Sequence, residues 1–94
     1  MIELPSLVGT IRRMVSTGRT FMDILEALRR DDSFVLTPFN LMRVLNEALG
    51  IPMIEVRQML EMFDPALHPV ASVFEINDRG ESLFAQFREA NRSG

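Results

Sequence analysis

The sequence predicts a mainly α fold: one compact five-helix domain over residues 1–94, with a helix-turn-helix-like central pair. At most a short strand or strand pair is expected near residues 70–76. Three observations carry this. Four segments before Asp64 repeat apolar residues at helical spacing. Thr20 and Thr37 read as caps and Pro5 and Pro52 as helix openers, while Gly18, Gly50 and Asp64-Pro65 mark helix ends. Only one run, Val70 to Ile76, has the β-branched character of a strand.

Pro5 is suited to open a first helix, because a proline in the first turn loses no helical hydrogen bond. Leu7, Val8, Ile11, Met14 and Val15 form its stripe, and Gly18 stops it. Thr20 followed by Asp23 reads as a capping box for a second helix, with Phe21, Ile24, Leu25 and Leu28 on the inner face. Arg29 and Arg30 close its last turn, where cations meet the negative end of the helix dipole. Thr37-Pro38 caps a third helix carrying Leu41, Met42, Leu45, Ala48 and Leu49 to Gly50, a C′ glycine. Ile51-Pro52 restarts the chain into a fourth helix with Val56, Met59, Leu60 and Phe63 inside, ended by Asp64-Pro65. After the strand-like run, Asn77 to Glu81 reads as a tight turn or as the cap of a last helix. That helix buries Leu83, Phe84 and Phe87 and frays at Asn91-Arg92-Ser93-Gly94.

The stretch Val44 to Leu60 resembles a helix-turn-helix: a helix, a glycine turn, an apolar residue, and a second helix with Val56 and Leu60 buried. Phe74 to Phe84 is similar to the exit of winged-helix regulators, where a wing strand passes through a polar glycine turn into a closing helix. The resemblance implies a DNA-binding regulator contacting nucleic acid through Arg43, Arg57, Gln58 and Arg79. Against it, Met53, Ile54 and Glu55 occupy positions where base readers carry hydrogen-bonding side chains.

Composition narrows the chemistry. Apolar residues are 47% and charged residues 24%, a balance that supports a folded core. Cysteine is absent, which removes disulfides, thiolate metal sites and thiol nucleophiles. All ten basic residues are arginine, so Schiff-base chemistry and a phosphate-loop lysine are excluded as well. A GC-rich genome is the plain explanation for the missing lysine. His68 is the single histidine, so no site needing two imidazoles can form. No apolar run of about eighteen residues exists, so no membrane span is expected. The acidic amino terminus is unlike a secretory signal, and a cytoplasmic protein is the expectation.

Charge is unevenly placed. Residues 1–30 hold five arginines and three acids (+2), and residues 31–94 hold five arginines and ten acids (−5), giving −3 overall. Arg12, Arg13, Arg29 and Arg30 read either as a phosphate-contacting edge or as groups closing helix C-termini and pairing with Glu26 and Asp31. His68 has Asp64 as the nearest group to orient it as a base, although a proline-flanked histidine is more often a turn residue. Glu55, Glu61 and Asp64 match no calcium loop. No catalytic residue, cofactor or metal ligand is assigned, and the chain is read as a non-enzyme.

The methionines and phenylalanines, seven of each, carry the functional expectation. With the inner stripe of the fourth helix filled, Met53, Ile54 and Met62 are left over. Beside Met42 they read as surplus core or as an adaptable contact surface, with Arg57 and Glu61 setting register. The expected function is that of a small acidic protein-interaction module: an adaptor, an inhibitor of immunity or anti-defence type, or a homodimer. Its partner is then another protein or a second copy of itself.

Overall fold

The computed structural model describes residues 4–92. Ser93 and Gly94, read from sequence as part of the helix end, lie outside the described residues, as does the amino-terminal Glu3. Five α-helices follow in order: α1 (Leu4–Ser16), α2 (Phe21–Arg30), α3 (Pro38–Leu49), α4 (Met53–Met59) and α5 (Val73–Arg92). A 3₁₀ turn, Leu60–Met62, extends α4. Among the described residues there is no strand; a single antiparallel bridge pairs Phe63 with Pro69.

The caps read from sequence are formed. Thr20 Oγ1 accepts the Asp23 N–H at 3.2 Å, and the Asp23 carboxylate accepts the Thr20 N–H at 3.1 Å. Thr37 Oγ1 accepts the Asn40 N–H at 3.1 Å, with Pro38 as the first helical residue. Gly50 ends α3 at φ 70°, in the left-handed region that a side chain disfavours.

The stretch Val70–Ile76, where the sequence allows at most a short strand, forms none. Ser72 caps α5: its hydroxyl accepts the Glu75 N–H at 3.1 Å and donates to Glu75 Oε1, while its carbonyl accepts the Ile76 N–H at 3.1 Å. Ser72-x-x-Glu75 is a capping-box signature, and it outweighs the β-propensity of four neighbouring side chains. The wing strand expected at Phe74 is therefore the first turn of α5. Gly80 is likewise no turn residue but a buried position within α5, where Phe21 packs on its bare backbone.

α1 lies on α3, α2 lies on α5, and α4 packs on α3; α5, the longest helix, also touches α1 and α4. One continuous apolar core joins all five helices. Phe21 stands at its centre, with ring centroids 6.0 Å from both Phe63 and Phe84. Arginines tie distant segments by donating to backbone carbonyls at helix ends and in a loop. Arg12 Nε reaches the Ala48 carbonyl at 2.7 Å, Arg29 Nη2 that of Leu67 at 2.8 Å, and Arg88 Nη1 that of Val15 at 3.2 Å.

The loop from Asp64 to His68 is tightly held. Leu67 adopts φ 64°, unusual for a branched side chain, and is buried. Its N–H donates to the Asp64 carbonyl at 2.8 Å and its carbonyl accepts Arg29. Asp64 Oδ1 accepts the N–H groups of Ala66 (2.9 Å) and His68 (2.8 Å).

These bonds hold the Asp64 carboxyl below the ordinary carboxylate range. The His68 N–H is the main cause, partial desolvation opposes it, and Ala66 and the nearby imidazole add to it. Asp31 is lowered by the hydroxyl and N–H of Ser33. A carboxyl depressed in the folded state stabilises the fold above its unfolded pKa, and that contribution is lost as pH falls through the depressed value. Asn keeps the accepting oxygen but does not titrate. In thermal melts from neutral into acid pH, Asp64→Asn is expected to lose stability less steeply than wild type. An identical acid slope would show that Asp64 does not report on the folded loop.

Candidate interaction surface

Most large apolar side chains are inside, and the exceptions are grouped. Val70, Val73 and Phe74 are 67%, 50% and 79% exposed within five residues at the entry to α5. Met53 and Ile54 are 37% and 57% exposed at the start of α4, and Val35 and Phe39 stand out around the start of α3. Isolated exposed apolar residues are normal, whereas adjacent ones concentrate the cost of hydrating apolar surface in one place.

The residues expected to make one contact surface on the fourth helix are divided. Met53 and Ile54 open α4, and Arg57 and Glu61 are exposed further along. Met62 is half-buried against the core, and its carbonyl accepts the N–H groups of Val70 (2.9 Å) and Ala71 (3.3 Å). Nine residues separate Met53 from Met62, about 13 Å along a helix axis. Met62 thus belongs to the edge of the α5-entry patch, and Met42 also packs against the core.

Phe74 was not singled out by sequence reasoning because a strand assignment gives Val70–Ile76 an alternating buried face. The signal that finds it is the Ser72–Glu75 cap. It starts a helix at Val73 and turns Ile76 inward, leaving Phe74 in the first turn facing out. The capping bonds fix this first turn, so the patch is built on ordered backbone.

The surroundings of the two groups differ electrostatically. Between Arg57 and Arg79 the chain has no basic residue except His68, while Glu61, Asp64, Glu75 and Asp78 are all acidic. The α5-entry patch therefore lies on an acidic segment. From Ala48 to Ile54, by contrast, there is no charged residue at all.

Other candidate groups are engaged in structure. Arg12 and Arg29 bind carbonyls as above, and Arg30 pairs with Glu26 at 3.3 Å. Arg13 is exposed on α1. The first turn of α2 donates to Thr20 and, through the Met22 N–H at 3.0 Å, to Asn77 of α5. An open groove of about 620 Å³ beside it, lined by Met14, Arg19, Met22, Asp23, Glu26 and Arg30, has Asp23 committed to the cap and Glu26 to Arg30. His68 Nδ1 lies 3.7 Å from Asp64 Oδ2 with both side chains open to solvent. Among the described residues no three acidic or histidine side chains converge as a cation site requires.

The residues named for nucleic-acid contact are all exposed but stand on three helices: Arg43 on α3, Arg57 and Gln58 on α4, and Arg79 on α5. No helix among the described residues is long and apolar enough to cross a membrane. The chain matches no family model, no curated protein and no solved structure.

Proposed function

We propose that this chain is a non-catalytic protein-interaction module that docks on a basic partner protein through Val70, Val73 and Phe74. The observation that carries the reading is Phe74, an aromatic ring 79% exposed in an ordered first turn beside two exposed valines. An aromatic side chain desolvated at the centre of a contact supplies affinity with little conformational entropy to lose. Glu61, Glu75 and Asp78, exposed on the same acidic segment, attract arginine- or lysine-bearing surfaces and repel acidic ones. An adaptor or inhibitor role fits such a module, since both need a surface and neither needs a reaction centre.

The test compares wild type and Phe74→Asp as baits for cross-linked capture from cells, followed by affinity measurement on the captured protein. An acid in the first turn of a helix is favourable, so Phe74→Asp is expected to fold with stability within about 0.5 kcal/mol of wild type. Its affinity for the partner should fall by roughly tenfold to a hundredfold, and wild-type association should slow with added salt. Equal capture and affinity for both baits would show that this patch is not the docking surface.

A further inference from the structure

We infer that the basic group recognised at the α5 entry is an arginine, its guanidinium laid on the Phe74 ring and its N–H edge paired with the Asp78 carboxylate. The inference rests on the reading that this entry docks a basic partner, and it names the side chain that the partner brings.

Phe74 and Asp78 are four residues apart on α5, and both are exposed. That spacing places them on one face of the helix, with β-carbons about 5–6 Å apart. Side chains on a helix lean toward its amino-terminal end, so Asp78 leans over the turn that carries Phe74. The ring is 79% exposed, which leaves a face open for stacking. Glu75, the other acid of this turn, has one oxygen taken by the Ser72 hydroxyl at 3.1 Å. Asp78 engages Ser82 through its main-chain carbonyl, and among the described residues its carboxylate is in no ion pair. The Met62 carbonyl accepts the N–H groups of Val70 and Ala71, which brings the exposed Glu61, one residue earlier, to the same end of α5.

The arginines of α5 do not fill this pair. Arg79 is five residues beyond Phe74, about 140° round the helix axis, and so projects from a different face. Arg88 is engaged by Glu81 and by the Val15 carbonyl. The pair also distinguishes the two basic side chains. A guanidinium is flat and weakly hydrated, so one arginine can cover an aromatic face while its edge donates to a carboxylate. A lysine ammonium is compact and strongly hydrated; it can meet Asp78, but it must shed tightly held water to lie against the ring.

Two peptides test this on the full chain: a short glycine–serine peptide carrying arginines, and the same peptide with lysines in their place. Binding is followed by nuclear magnetic resonance through the amide signals of Val73 to Asp78 and the Phe74 ring signals. The arginine peptide is expected to bind about two- to fivefold more tightly, the contribution of a cation on an exposed ring. Phe74→Leu keeps an apolar, helix-compatible side chain and should abolish that preference, while Phe74→Trp should keep or widen it. Asp78→Asn should weaken the arginine peptide and narrow the preference. Both sites are exposed, so melting temperatures should stay near that of wild type. Equal affinity of the two peptides at the α5 entry would overturn the arginine assignment and leave the basic-partner reading standing. A preference that survives Phe74→Leu would overturn it as well, as would signals at Val73 to Asp78 that neither peptide moves. The basic-partner reading fails separately, on equal capture by wild type and Phe74→Asp.

Discussion

Phe21→Ala is expected to remove about 3–5 kcal/mol of stability, the cost of truncating one core aromatic. The ring is 1% exposed and touches three separate parts of the chain. Phe63 follows the 3₁₀ turn, Phe84 lies in α5, and Gly80 of α5 sits against the Phe21 side chain itself. Truncation removes both aromatic pairs and opens a void that rigid helices on either side cannot collapse. Alanine's better helix propensity at the first position of α2 returns only a few tenths of a kcal/mol. A domain of this size has roughly 5–14 kcal/mol in total, so the variant should melt some 15–30 °C lower. With no tryptophan or tyrosine present, far-ultraviolet circular dichroism is the natural readout. A loss under about 1 kcal/mol would mean that the three rings do not form the joint between α2, the 3₁₀ turn and α5.

Local features were legible in the sequence, and features that depend on distant partners were not. Thr20 with Asp23, Thr37 with Pro38, and Gly50 announce helix ends because their partners lie within four residues. The helical stripes announce the core for the same reason. Arg12, Arg29 and Arg88 bind carbonyls 36, 38 and 73 residues away, and no local pattern specifies such a pairing. Val70–Ile76 shows a different limit. Two local signals conflict there, β-branching and a serine cap, and the cap prevails because its hydrogen bonds satisfy donors that the helix start would otherwise leave open. The candidate surface inherits that conflict. Met53 and Ile54 follow from counting apolar residues on α4, but Phe74 emerges only once α5 is known to begin at Val73.

Gly80 provides the second large effect and the sharpest test of the helix packing, because two terms of opposite sign compete there. Sequence alone places Gly80 in a tight turn or at the start of a last helix, and in an exposed helix replacement by alanine would favour folding by reducing the freedom of the unfolded chain. In the fold a β-carbon at residue 80 would lie 2.6 Å from Phe21 Cβ and 3.1 Å from two ring carbons. The nearest atom is fixed directly to the α2 backbone, so rotating the ring cannot relieve the overlap. The helices must separate instead. Gly80→Val, which adds two further methyl groups, is expected to cost about 3 kcal/mol or more, and Gly80→Ala about 1–3 kcal/mol despite its helix-propensity gain. Gly9 supplies the control, because it also lies within a helix, α1, yet a β-carbon there meets nothing within 4 Å. Gly9→Ala should therefore stabilise by about 0.5–1 kcal/mol. The same substitution is thus expected to shift the chemical denaturation midpoint in opposite directions at the two sites. If Gly80→Ala stabilises as Gly9→Ala does, α5 does not lie against Phe21, and the helix that presents Phe74 is misplaced.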